Sequence, residues 1–284
     1  MTERDARQPI MRALDPADLG AAQALSAALS WPHRLEDWNF ALSLGEGVAL
    51  ESGRRLVGTA MSWAFGPGWG TLGMVIVAPE MQGRGLGGRL METMLSRLGT
   101  RGVQLHATKA GEPLYRKLGF APVATIRQHQ GAAYCVGFHA PRTGERLRPA
   151  GRADLAVLTA LDAAATGMAR GPLLEALIGE AEGIVLDRDG VASGFAMLRR
   201  FGRGKVIGPV VAPDPEAARL LVAHWLGQRQ GEFLRIDVTE DSALSAWLEE
   251  AGLPAVDDAT RMVRGQPPAP AAVRSFALVS QAFG

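Results

Sequence analysis

Residues 71–95 read TLGMVIVAPEMQGRGLGGRLMETML. An apolar run with the composition of a buried strand ends at Val77; five residues including Pro79 follow. Glycines then lead into a segment whose Leu86, Leu90, Met91, Met94, Leu95 and Leu98 fall on one helical face. Gly83, Gly85 and Gly88 spell G-x-G-x-x-G, the letters of a dinucleotide-binding turn. That turn should follow its strand directly, and a carboxylate should end the next strand to hold a ribose. Here the strand and the glycines are separated, and the next strand, VQLHAT, ends without a carboxylate. A phosphate loop of the G-x-x-x-x-G-K type fails as well, because Arg89 follows Gly88. What remains is general physics. Backbone amides from Gly83 to Gly88 open a helix at its positive dipole end, flanked by Arg84 and Arg89, which suits a pyrophosphate. Gly73, inside the preceding strand, marks a bulge or a place where another backbone or a ligand comes close. Together they suggest a ligand with phosphates on the helix and an amide-bearing tail along the strand, for which pantetheine is the obvious candidate.

Bulk properties narrow the classes. The 284 residues, 47% hydrophobic, can bury two cores of about 140 residues each. Lys and Arg number 30 against 29 acidic residues, so a net charge of +1 gives no global field for nucleic acid or an anionic membrane. The single cysteine, Cys135, excludes an intrachain disulfide, reads as a small buried hydrophobe, and fits a reducing compartment. The start, MTERDARQPIM, lacks a signal-peptide core, and no run approaches the roughly 18 apolar residues of a membrane span. A cytoplasmic protein without a metal is expected.

The chain also repeats itself. Arg12, Asp18 and Leu19 recur 136 residues on as Arg148, Asp154 and Leu155, and GVALESGRRLVGTAM from Gly47 matches GIVLDRDGVASGFAM from Gly183 at the same shift. Val77-Ala78-Pro79 then meets Val211-Ala212-Pro213, and Gly119 meets Gly252. The polar stretch APRTGER places a boundary at Arg142, giving domains 1–141 and 142–284. Each half reads as a strand, two helices, two hairpin strands, a long strand, a helix, a strand, a short helix and two closing strands. In the first half the closing pair is PVATIRQHQ with AAYCVGF. The fold class is therefore α+β, an α/β/α arrangement on a mixed, mostly antiparallel sheet, in two tandem copies.

The residues VIVAPEMQGRGLGGRLM resemble the acyl-CoA motif of the GNAT superfamily of N-acetyltransferases, [QR]-x-x-G-x-[GA] after a strand ending V-x-P, met here as Gln82, Gly85 and Gly87. A second family motif, roughly N-x-x-A-x-x-L-Y-x-x-x-G-F, is matched by TKAGEPLYRKLGF, with Thr108 where Asn is common and Gly111 where Ala is common. The resemblance implies acetyl-CoA lying between two splayed central strands and direct transfer in a ternary complex to a small primary amine. It implies that Val75, Ile76 and Val77 present backbone groups to pantetheine and the thioester oxygen. Gln82, Gly83, Arg84, Gly85, Leu86, Gly87 and Gly88 would hold the pyrophosphate, with Thr108 and Gly111 beside the cofactor. Tyr115 stands at the general-acid position, where it would protonate the departing thiolate; position alone favours a core tyrosine, and the matched motif favours the acid. The base is open. The strand TLGMVIV has no carboxylate, leaving His33, Glu36 and His129 as candidates, each also readable as a surface or packing residue. Trp31, Trp38 and Trp63 would wall the acceptor cleft or fill the core, and His106 reads as a core histidine beside the cofactor.

The second copy acts as an internal control. Gln82, Gly85 and Gly87 align with Glu216, Arg219 and Leu221, and Tyr115 with Leu248, while the turn glycine survives as Gly252. The second half thus resembles a degenerate GNAT domain that completes the acceptor cleft, with Arg199, Arg200, Arg203 and Lys205 of RRFGRGKVIGPV either contacting an anion or forming a solvated basic hairpin. The fused halves are expected to form an internal pseudo-dimer, as a monomer or a homodimer. A non-catalytic acyl-CoA or metabolite sensor is the competing reading.

Overall fold

A computed structural model describes residues 8–133, 137, 139–267 and 271–284. The first half runs β1 (Ile10–Ala13), α1 (Leu19–Ala28), α2 (Leu35–Leu44), β2 (Glu46–Ser52), β3 (Arg55–Phe65), β4 (Trp69–Val77), α3 (Leu86–Leu98), β5 (Gly102–Ala107), α4 (Glu112–Lys117) and β6 (Ala121–Ala132). The second repeats it as β7 (Glu145–Pro149), α5 (Leu155–Thr166), α6 (Gly171–Glu180), β8 (Glu182–Arg188), β9 (Val191–Phe201), β10 (Gly204–Ala212), α7 (Pro215–Gln228), β11 (Phe233–Thr239), α8 (Ser245–Glu250), β12 (Ala255–Arg264) and β13 (Arg274–Ala277). Local chemistry sets many of the boundaries. Asp15 caps the turn before α1 through the Ala17 amide, Gly53 at φ +66° turns the β2–β3 hairpin, and Gly99 and Gly119 end α3 and α4 with positive φ. The apolar stripe of α3 packs its six predicted residues into the core, all of them buried.

One 13-stranded sheet carries both halves, in the order β1-β2-β3-β4-β5-β12-β6-β11-β13-β10-β9-β8-β7. The halves exchange strands. β12, from the second half, lies between β5 and β6, pairing Thr260–Arg264 with Ala107–Val103; β6 pairs its other edge with β11 from Ile126 to Ala132. This corrects the expected closing pair of the first half: β6 is flanked by β12 and β11, both from the second half, and residues 134–136 and 138 of its expected partner lie outside the described residues. Cys135 lies outside the described residues. The exchange creates three ladders between the halves, β5–β12, β6–β12 and β6–β11, that neither half can make alone.

A second bond between the halves is polar and buried. Asp37 on α2 accepts hydrogen bonds from Arg34 at 2.8 Å and from the Gly202 amide at 2.9 Å, and pairs with Arg199 at 3.7 Å. Burial raises the Asp37 carboxyl, but these donors outweigh it and leave the pKa below the usual carboxylate value. The Arg199 guanidinium lies over Phe40 and Phe201, 5.1 and 4.8 Å from the ring centroids. Arg199 therefore joins the halves, while Lys205 pairs with Glu232 at 2.7 Å and Arg200 and Arg203 are exposed.

Candidate active site

β4 and β5 run parallel and pair only at Trp69–Gly102, Gly70–Val103 and Thr71–Gln104. Beyond Thr71 they part, while β5 keeps its ladder with β12 through Ala107. The facing edge of β4 from Leu72 to Val77 thus has no strand partner among the described residues, leaving a slot lined by backbone N–H and C=O groups. The bulge that turns β4 away is at Met74, a non-glycine residue held at φ +52°. Thr59 Oγ1 donates to the Met74 carbonyl at 2.8 Å and fixes the kink. Gly73, read from sequence as a bulge or a close approach, serves the second purpose: a Cβ there would sit 3.2 Å from the Ala282 Cα.

The slot opens onto the glycine loop. Gly83 and Gly85 take left-handed φ of +75° and +73°, and a Cβ at either would meet nothing within 4 Å. Gly85 caps α3 without any side-chain hydrogen bond, so the amides of its first turn have no side-chain acceptor. Gly87 and Gly88 face Leu114 of α4, and a Cβ on Gly87 would lie only 3.2 Å from Leu114 Cδ2. Gln82 folds back, its Nε2 donating to the Val77 carbonyl at 3.0 Å, and Arg84 and Arg89 are exposed beside the loop. Thr108 starts α4 by accepting the Gly111 amide on its hydroxyl at 3.2 Å. Tyr115 is buried on α4 against Phe120, ring centroids 6.2 Å apart, and desolvation pushes its phenol up to about 12.

Across the sheet, residues 280–284 of the second half cover the base of the slot. Phe283 packs on Trp63 and Phe40 at 4.8 and 5.8 Å between centroids. Arg170 donates to the carbonyl oxygens of Phe283 and Gly284 at 3.0 and 2.7 Å, and is held by Asp162 at 2.6 Å. His106 Nδ1 lies 2.7 Å from the Gln281 carbonyl, which can only accept, so the neutral ring carries its proton on Nδ1. Nε2 is shielded from solvent and has no partner among the described residues. Burial pushes the His106 pKa down to about 4.

The other acceptor candidates are not brought together. Trp63 is fully buried, its indole donating to the Ala41 carbonyl at 2.9 Å, so it fills core space; Trp38 is buried likewise, 3.3 Å from Ser26 Oγ. His129 is fully buried and held at both nitrogens, 2.8 Å from the Leu253 carbonyl and 2.8 Å from Ser245 Oγ. His33 packs among Trp31, Trp38 and Phe201, and burial pushes it down to about 4. Glu36 is exposed, 4.0 Å from Arg34. Among the described residues no cluster of potential metal ligands occurs, and no helix is long and apolar enough to cross a membrane.

The two depressed imidazoles set a pH dependence. Unfolded chains take up protons below about pH 6.5, whereas His33 and His106 in the fold do so only near 4. Their contribution is complete above about pH 6.5 and is lost as pH falls toward 4, at up to about 1.4 kcal/mol per unit for each ring. Thermal melts should therefore shift to lower temperature between pH 7 and 5. A midpoint independent of pH over that interval would contradict the buried neutral assignment.

The second half shows what the same architecture looks like closed. β10 and β11 pair at Lys205–Leu234 and Val206–Arg235 and then part as β4 and β5 do, but β13 fills the gap, pairing Val210 and Val238 with Ala277. At the following helix, Asp214 Oδ1 accepts the Ala217 amide at 2.9 Å, Pro215 removes one amide, and Arg142 bridges Asp214 and Glu216. The helix end that is open in α3 is capped in α7.

Residues 45–122 and 158–276 each match a family described as "Acetyltransferase (GNAT) domain". The chain is 32% identical over 222 residues to the uncharacterized N-acetyltransferase YitH of Bacillus subtilis, covering 75% of this chain and 76% of the relative. The chain belongs to the GNAT acetyltransferase family. It is a tandem GNAT N-acetyltransferase, with the mixed, mostly antiparallel sheet expected from its sequence. The fold is shared with a putative acetyltransferase from Pyrococcus horikoshii, TM-score 0.81 at 18% identity, covering 98% of this chain and 96% of that one. A tandem GNAT protein from the clavulanic acid biosynthesis pathway follows it at TM-score 0.61 and 14% identity, covering 92% and 100%.

Proposed function

We propose that the first half of this tandem GNAT protein moves an acetyl group from acetyl-CoA to the primary amine of a small molecule by direct attack in a ternary complex. The observation that carries the reading is the unpaired slot between β4 and β5, open onto an uncapped α3 in the first half and filled by β13 in the second. Acetyl-CoA supplies a thioester whose carbonyl carbon is the electrophile. Its pantetheine amides match the free edge of Val75, Ile76 and Val77, and its pyrophosphate matches the amides of residues 83–88 with Arg84 and Arg89 alongside. A β4 amide at Val75 or Ile76 stabilises charge on the thioester oxygen, and Gln82, Thr108 and Gly111 shape the walls. As nitrogen bonds to the carbonyl carbon and the C–S bond breaks, Tyr115 gives its proton to the departing sulfur.

The proton leaving the acceptor nitrogen goes to His106 Nε2, two residues past the point where the strands part. The Gln281 carbonyl fixes its tautomer, so the second half orients a group that the first half uses. Thiol release from acetyl-CoA across a panel of primary amines tests the reading. His106→Ala is expected to lower turnover about a hundredfold, with part of the loss restored by added imidazole. Wild-type turnover in that variant removes His106 from the mechanism; acetyl-CoA binding without thiol release for any amine identifies a sensor instead. The exchanged strands let the chain act as its own pseudo-dimer, without needing a second copy to complete the sheet.

A further inference from the structure

A cavity of about 630 Å³ lies on the face of the sheet that carries His106, and it is built by both halves. Its floor includes Gln104 of β5, Thr125 of β6 and Arg261 of β12; Arg170, Thr239 and Arg274 stand around it. Gln104 pairs with Thr71 at the last rung before β4 and β5 part, so one end of the cavity adjoins the slot. Arg261 is directly opposite His106 in the antiparallel β5–β12 pair, and opposed residues of such a pair point to the same face.

The charges around this cavity can be paired off. Arg170 is held by Asp162 at 2.6 Å, Glu240 by Arg127 at 3.4 Å, and Asp241 lies 3.8 Å from Arg274. Arg261 is left over. Among the described residues its guanidinium makes no ion pair, and its Nε is shielded from solvent without a hydrogen-bond partner. Burial lowers its pKa, with Asp241 opposing that effect from a distance. A guanidinium half-withdrawn from water, with planar donors unspent, is the chemistry that takes a carboxylate or phosphate bidentately. A buried cation without a counter-charge is costly unless an anion completes it.

We infer that this cavity is the acceptor pocket, and that it selects amines whose other end is anionic, a carboxylate or a phosphate, by pairing that group with Arg261. The inference rests on the acetyl-transfer reading of the first half. Adjacent strands are about 4.8 Å apart, so β12 stands roughly one and a half strand spacings, about 7 Å, from the middle of the slot. A small molecule spans that distance with its amine toward His106 and its anion on Arg261. Arg261 belongs to the strand exchanged from the second half, which would explain how a half with a closed cofactor slot still sets specificity.

Matched amines that differ only in the anionic group provide the test: α-amino acids against their amides, and an amino sugar against its 6-phosphate. Thiol release should favour the charged member of at least one pair, and which pair responds separates carboxylate from phosphate. In Arg261→Gln the ratio of kcat/KM for charged over neutral partner should fall at least tenfold, mostly through KM, the scale of a lost charged hydrogen bond. Arg261→Lys, which keeps charge but loses the planar fork, should fall between. Thermal melts of both variants show that they are folded, and calorimetric binding of the charged amine to the CoA-loaded protein gives a readout apart from turnover. Equal use of charged and neutral partners by the wild type, or a ratio unmoved by Arg261→Gln, overturns the inference while leaving acetyl transfer intact. A wild type that does not bind acetyl-CoA overturns the reading beneath it, and this one with it.

Discussion

Replacing Tyr115 by phenylalanine is expected to lower kcat by about a hundredfold or more while leaving acetyl-CoA affinity within about twofold, the range associated with losing a positioned general acid. Tyr115 lies on α4 next in sequence to Leu114, whose side chain faces Gly87 and Gly88 at the start of α3. A Cβ at Gly111 would be 2.9 Å from Tyr115 Cε2, so this ring lies directly against the Gly111 backbone. Burial pushes the phenol up to about 12, which keeps it a proton donor wherever the protein is folded. Phenylalanine preserves the packing against Phe120, so the melting temperature should hardly move. Stopped-flow or steady-state thiol release measures the effect; a kcat within twofold of wild type would return Tyr115 to the role of a core residue.

Writing the second half's residues into the first should silence it. The triple change Gln82→Glu, Gly85→Arg and Gly87→Leu reproduces Glu216, Arg219 and Leu221, and acetyl-CoA affinity is expected to fall more than about a hundredfold. Each change acts for a stated reason. At Gly85 an L side chain must adopt φ +73°, which costs about 1 to 2 kcal/mol, and it projects over the amides at the head of α3. At Gly87 the new side chain begins 3.2 Å from Leu114. A carboxylate at position 82 repels phosphate and ends the Gln82 hydrogen bond to the Val77 carbonyl. The loop is exposed and open around Gly83 and Gly85, and only the Gly87 change presses on a core-packed residue, Leu114, so the loss of affinity should exceed the loss of stability. Calorimetry with circular dichroism separates the two; unchanged affinity would show that the amides of this loop do not hold the cofactor.

The parts of this molecule legible in the sequence are those fixed by local chemistry. The stripe on α3, the loop glycines Gly83 and Gly85, the turn glycine Gly119, and the internal repeat all carry their signal within a few residues or in comparison with a second copy. Strand exchange carries no such signal. The two halves are copies, so a closing strand with the right alternation can pair with either half, and only the three-dimensional packing decides that β12 joins β5 and β6 joins β11. The kink at Met74 was hidden for a related reason: a non-glycine residue holds it, and the neighbouring Gly73 drew the reading although it only makes room for Ala282. His106 looked like any strand histidine because the group that orients it, the Gln281 carbonyl, lies 175 residues away. Trp63 and His129 show an ambiguity the sequence left open. Aromatic and imidazole side chains serve both clefts and cores, and only the indole bond to Ala41 and the two bonds of His129 tell which.

One asymmetry underlies the proposed function: the slot between β4 and β5 is open in the first half, and its counterpart is filled by the chain itself in the second. Titrating acetyl-CoA into the intact protein by isothermal calorimetry tests it directly. One site per chain, abolished by the triple change in the glycine loop, is the predicted result; two sites per chain, or one site that survives the change, would contradict it.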